Sequence, residues 1–322
     1  MKDKSSKSIR SFGAQTILHH AQALENEMEG VRAANDMEAI HRMRVASRRL
    51  RTNLRIFNDY LPPQRTRAWL KSIRKLTRAL GNARDSDVQI ALLQSILAQQ
   101  PPITAQPGLR RILLRLQQRR TKQQTSVLQA LQTLEKEQTL SQLQQHLVGR
   151  IDPDAPDCPE KILPFAAQLA IRRLQELLHY EPFLQRPECI VEHHEMRIAT
   201  KHLRYTLETF APCYPDQLSQ PLQTLRQLQN YLGQLHDCDV WLQTLPFFLE
   251  KERQRTMHYF GNLRPLKRLL PGFEFFQNER SQERQKIYQQ LLERWQTWQE
   301  TGFWNELEQT FQLPSTPPVE DV

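Results

Sequence analysis

Two blocks of this sequence each occur twice. Residues 41–57 (HRMRVASRRLRTNLRIF) align with residues 194–210 (HEMRIATKHLRYTLETF) at an offset of 153. Residues 80–88 (LGNARDSDV) align with residues 232–240 (LGQLHDCDV) at an offset of 152. Two blocks in the same order at a nearly constant offset imply an old duplication. The expected product is two similar helical bundles facing each other across a pseudo-two-fold axis.

The elements between the blocks read as helix. Glycine is scarce, 9 of 322 residues, which leaves few turn positions of the kind that strands need. Glutamine, leucine and arginine, which lose little on entering a helix, are abundant. Apolar residues recur at three and four, as in Met43, Ala46, Leu50, Leu54 and Phe57. Proline and glycine clusters break the pattern at Pro62–Pro63, at 101–108 and, most densely, at 149–159. The last cluster lies near the midpoint and reads as a linker. The expected fold is all-α, as two duplicated antiparallel helical bundles of about four helices each, covering 11–148 and 160–313. Residues 1–10 read as a disordered basic N-terminus and 314–322 as a disordered tail. Helices are expected near 64–80 and 86–99, and again near 216–232 and 238–258, with Gly81 and Gly233 ending the first of each pair.

The charge is distributed unevenly. The net charge is +9 and the pI about 9.5, which points to an acidic partner: nucleic acid, polyphosphate or an anionic membrane face. His41, Arg44, Arg48, Arg51 and Arg55 are spaced 3, 4, 3, 4 and so share one stripe of a helix. Lys71, Arg74 and Arg78 do the same on the next helix. Between 41 and 84 there are 13 Lys and Arg against one acid, Asp59. Such a run repels itself along a helix, so something outside it should neutralise it. Arginine suits phosphate oxygens because its fork binds two at once and does not lose its proton. The second copy keeps His194, Arg197, Lys201, Arg204 and Arg226. It has Gln223, Asn230 and Glu208 where Lys71, Arg78 and Arg55 stand in the first, so affinity should lean on the first copy. A phosphate beside His41 and His194 would raise their pKa, so binding should weaken as pH rises through roughly 6 to 8.

Other features are less specific. Asp85, Asp87, Asp237 and Asp239 read first as helix caps and first-turn acids, with a divalent-metal site or an orienting role for the arginines as alternatives. No metal and no other cofactor is expected. Cys158, Cys189, Cys213 and Cys238 have neither zinc-knuckle nor redox spacing and read as four reduced thiols of a cytoplasmic protein. No signal peptide or membrane span is expected. Trp295, Trp298, Phe303, Trp304, Leu307 and Phe311 form a C-terminal aromatic stripe that reads as core, with partner docking as the alternative. There is no P-loop, no HExxH and no Gly-x-Ser-x-Gly, so no enzymatic activity is expected.

The duplicated motifs, His-x-Met-Arg with its following arginines and Leu-Gly with Asp-x-Asp-Val, resemble the CHAD family, a helical domain with a characteristic histidine. The resemblance covers roughly residues 10 to 310. It implies two four-helix bundles around a basic groove or pore that binds inorganic polyphosphate, in a granule-associated, non-catalytic protein. The ligand set it implies is His41, Arg44, Arg48, Arg51, Arg55, Lys71, Arg74 and Arg78, with His194, Arg197, Lys201, Arg204 and Arg226 opposite. A nucleic-acid-binding protein using the same face is the competing reading. An accessory module for a polyphosphate-metabolising enzyme is another.

Overall fold

The computed structural model describes residues 2–33, 37–156 and 158–312. Among them every regular element is a helix: α1 (Lys2–Asn26), α2 (Met28–Ala33), α3 (Met37–Ile56), α4 (Pro63–Ala98), α5 (Gln106–Lys136), α6 (Thr139–Val148), α7 (Ile162–Leu178), α8 (Ile190–Phe210), α9 (Ser219–Phe260), α10 (Leu270–Glu300) and α11 (Phe303–Thr310), with short 3-10 turns between some of them. The fold is all-α, as expected. The C-terminal segment read as a disordered tail lies outside the described residues. At the other end, α1 already begins at Lys2, within the segment read as disordered.

Two helices are longer than expected. α4 runs unbroken through Gly81, and α9 runs through Gly233 and Pro246. A glycine inside a helix costs only about 1 kcal/mol relative to alanine. Buried neighbours on either side outweigh that cost here: Leu76, Leu80 and Ala83 around Gly81, and Leu228, Leu232 and Leu235 around Gly233. Asp85, Asp87, Asp237 and Asp239 therefore sit mid-helix, and the capping reading of them is overturned.

The chain divides into two compact units. The larger comprises the described residues of 13–151 and 237–285; the smaller comprises those of 2–12, 152–236 and 286–312. The second part of α9 and the first part of α10 thus belong with the first half of the sequence. A shared core explains it: Leu93, Ile96, Leu109 and Ile112 pack with Trp241, Leu245, Phe273 and Phe276. Gly108 and Gly272 meet within this unit. A Cβ on Gly108 would overlap Leu269 O and the Gly272 backbone, and one on Gly272 would overlap Ala105 O and the Gly108 backbone. That crossing of α5 and α10 requires both glycines.

In the larger unit α3 packs along α4, and α4 along α5. The buried side of α3 is Ile40, Met43, Leu50 and Leu54; that of α4 is Trp69, Ile73, Leu76 and Leu80. In the smaller unit α7 packs on α8. The C-terminal aromatics are core here: Trp295, Trp298, Phe303, Trp304, Leu307 and Phe311 are all buried, with the Trp295 and Trp304 rings 4.8 Å apart. Cys158 and Cys213 form a disulfide with Cα atoms 5.2 Å apart, leaving Cys189 and Cys238 free. The expectation of four free thiols is corrected: these two cysteines are 55 residues apart in sequence, and only the tertiary fold brings them together.

Candidate polyanion-binding surfaces

The first surface is built on α3 and α4. Burial of the apolar stripe of α3 turns His41, Arg44, Arg48 and Arg51 to a half-buried flank and leaves Arg55 exposed. Lys71, Arg74 and Arg78 are exposed on α4. Arg51 marks where the two sets converge. Its guanidinium is drawn down to about 10, by burial first and then by the positive charges of Arg55, Arg74 and Arg48. Its Nε is buried and has no hydrogen-bond partner. Arg44 lies across α4 at Gly81, its Nε 3.7 Å from where a Cβ of that residue would be. Its Nη2 is 3.6 Å from Asp85 Oδ1.

His41 opens this stripe. Its Nδ1 is buried without a partner. Burial, then Arg84, then Arg44 and Arg42 lower its pKa, against an opposing contribution from Glu38. Arg84 in turn lies 3.5 Å from Glu38.

The second surface is built on α8 and the first part of α9. His194, Arg197, Lys201 and Arg204 are half-buried on α8, and Arg226 is exposed on α9. Arg197 lies against Gly233 as Arg44 does against Gly81, with the same 3.7 Å to the Cβ position. Its Nε also lacks a partner. Arg204 is satisfied within the unit. Its Nε donates to Gln229 Oε1 at 2.9 Å and its Nη1 to Glu208 Oε1 at 2.7 Å, and the guanidinium sits 4.8 Å over the Tyr205 ring.

Two histidines meet at the head of the second stripe. His194 Nδ1 and His236 Nδ1 are 3.1 Å apart, a distance at which one ring donates and the other accepts. His236 is pulled down to about 4, by burial first, then by Arg197, His194 and Lys201. His194 is lowered by burial, Arg197 and Lys201, with Glu195 opposing.

The structure thus gathers His41, Arg44, Arg48, Arg51, Arg55, Lys71, Arg74 and Arg78 on one helix pair, and His194, Arg197, Lys201, Arg204 and Arg226 on another. Sequence reasoning missed Arg84 and His236, which lie beside His41 and His194. The signal was available, since both occupy the same place in the second duplicated block.

The inner carboxylates have structural work. Asp87 Oδ1 accepts from Arg120 Nε at 2.6 Å, and Asp239 Oδ1 from Arg284 Nε at 2.5 Å; both aspartates are buried. Among the described residues no three of His, Cys, Asp and Glu come together to hold a metal ion. Among the same residues no helix is long and apolar enough to cross a membrane.

The sequence model of the CHAD domain matches residues 15–246. The crystal structure of the CHAD domain from the plant Ricinus communis is similar, with a TM-score of 0.61 and 24% identity over 82% of this chain and 91% of that one. The solved structure of PptA from Streptomyces chartreusis is also similar, with a TM-score of 0.65 and 14% identity over 89% of this chain and 99% of that one. At these identities the two structures speak to fold alone. No curated protein sequence matches significantly.

Proposed function

We propose that this chain, which belongs to the CHAD domain family, holds long-chain inorganic polyphosphate without chemically altering it. The observation that carries this reading is the state of Arg51. A guanidinium crowded by three others, with a buried Nε left unpaired, is costly in the free protein and is relieved by a chain of phosphates. His41 and Arg197 present buried unpaired nitrogens on the same two stripes. A polyanion with one charge per repeating unit suits arginines that recur every helical turn. Duplex DNA spaces its charges around a wide cylinder, and the aromatics beside the stripes on α4 and α8, Trp69, Tyr205 and Phe210, lie in the core, not at a base-stacking surface. On this reading the protein collects on polyphosphate granules where they exist.

The test is a titration with long-chain polyphosphate at two salt concentrations, with single-stranded and duplex DNA of equal charge as competitors. Affinity should fall steeply with salt through counterion release, and DNA should compete poorly. Equal competition by DNA would overturn the choice of ligand and favour a general nucleic-acid surface.

A further inference from the structure

The geometry points to a second anion site in the larger unit, apart from both stripes, that takes a compact triphosphate group. α5 and the part of α9 beyond Asp237 border a cavity of ≈ 400 Å³. Its wall includes Arg115, Arg119, Lys122, Lys251 and Arg255, with one ring, Phe248. None of these residues lies in either duplicated block. No carboxylate is among the described residues that line it.

The wall is organised by a carboxylate behind it. Glu252 is wholly buried, and a lone carboxylate there would be costly. Three guanidiniums reach it: Arg115 Nε at 2.6 Å, Arg255 Nη1 at 2.5 Å and Arg111 Nη1 at 3.2 Å. One negative charge therefore holds three positive ones, and two of those three stand in the cavity wall. Their positions are set without an external anion, while their surplus charge is not neutralised. Arg119, Lys122 and Lys251 add three exposed cations that have no ion-pair partner among the described residues. The hydrogen bonds from Arg115 and Arg255 keep Glu252 ionised against its burial, so the arrangement persists at neutral pH.

Five cations on two helices exceed what one phosphate can engage. They suit a ligand that packs several phosphate charges into a small volume. The cavity is within the range of small-molecule sites. Inorganic triphosphate and a nucleoside triphosphate share that chemistry, and Phe248 offers an apolar face that only the second would use.

The experiment is calorimetric titration of the full chain with inorganic tripolyphosphate and, separately, with ATP. Two variants are compared, with melting curves as the folding control. Lys122→Glu with Lys251→Glu changes two exposed side chains of the cavity; Arg48→Ala with Arg51→Ala changes the α3 stripe. The proposal expects the cavity variant to lose at least tenfold in affinity at one class of tripolyphosphate sites, a class that the stripe variant retains within twofold. This holds whether or not the stripes bind long-chain polyphosphate. Unchanged binding by the cavity variant overturns the proposal, as does a comparable loss in the stripe variant. If ATP binds more tightly and Phe248→Ala removes only that gain, the site takes the base-bearing ligand. If Phe248→Ala changes neither, the inorganic group alone is read.

Discussion

Arg51 and Arg204 occupy equivalent places in the two copies of the first block, yet their surroundings are opposite. Arg51 has Arg55 one turn on and Arg74 on the neighbouring helix, and its Nε is unpaired. Arg204 has Glu208 one turn on and Gln229 on its neighbour, and both accept hydrogen bonds from it. The position matching Gln229 in the first copy is Thr77, whose hydroxyl donates to Ile73 O of its own helix and offers Arg51 nothing. The two surfaces share a register and differ in counter-charge. The same register thus leaves Arg51 among like charges in one copy and supplies Arg204 with a carboxylate in the other; on the proposed reading the first meets a ligand and the second is a stabilising contact.

The largest effect should come from separating the two surfaces by mutation. Hydrogen bonds to charged groups contribute about 1.5–3 kcal/mol each, so Arg48→Ala with Arg51→Ala should weaken long-chain polyphosphate binding on the order of 100-fold at low salt. The slope of log affinity against log salt should become shallower by about two counterions. Lys201→Ala with Arg204→Ala should cost less than about tenfold, because Arg204 is already satisfied. Equal losses from the two double variants would break the comparison.

A smaller effect tests its cause. Glu208→Arg gives the second surface the residue that Arg55 provides in the first and releases Arg204 from its internal pair. Affinity should rise by about fivefold, the effect of roughly 1 kcal/mol from one partly exposed charge contact. The free protein should melt at a lower temperature, because Arg204 loses its carboxylate and gains a like charge. A gain in affinity without that loss would show that Glu208 was not neutralising Arg204.

The stripes were legible in sequence because helical periodicity is local: spacings of three and four decide which side chains share a face. What was not legible depended on tertiary packing. Gly81 and Gly233 carry a helix-breaking preference of only about 1 kcal/mol, which the buried leucines around them override. Reading them as helix ends made the following aspartates caps, when Asp87 and Asp239 are buried partners of arginines. Arg84 and His236 lie one helical turn from those glycines, inside the same unbroken helices. A Cβ at either glycine would meet the crossing arginine, Arg44 or Arg197, only at ordinary van der Waals distance, so that crossing does not itself require glycine. The Cys158–Cys213 pair and the transfer of residues 237–285 to the larger unit likewise arise from contacts between distant segments.

The smallest effect should be that of pH, and it also separates the two surfaces. Beside His41 stands Arg84, which is always charged; beside His194 stands His236, which is not. In the free protein His236 is held down to about 4 and His194 below its ordinary value, so at neutral pH the head of the second stripe is uncharged. Bound phosphate would offset Arg197 and Lys201 and raise both pKa values. Binding then takes up protons, and affinity falls as pH rises from the free-state values through those of the complex. Because the free-state values are depressed, that fall begins at lower pH than it would for ordinary histidines. Stability of the free protein has the opposite sign. His236 is neutral in the fold but takes a proton near 6.5 when unfolded, so its contribution is complete above 6.5 and declines as pH falls toward 4. His236→Arg, which copies the first surface, should make the affinity profile shallower, leaving the parts due to His41 and His194, and raise affinity at pH 7.5 by a few-fold, roughly the effect of one added phosphate contact. His236→Gln should make it shallower without that gain. Melting curves of both variants between pH 4 and 7 should lose the part of the acid destabilisation that His236 contributes. A wild-type affinity profile that does not change with pH would mean that the histidine pair stays neutral in the complex and that the arginines and lysines alone hold the ligand.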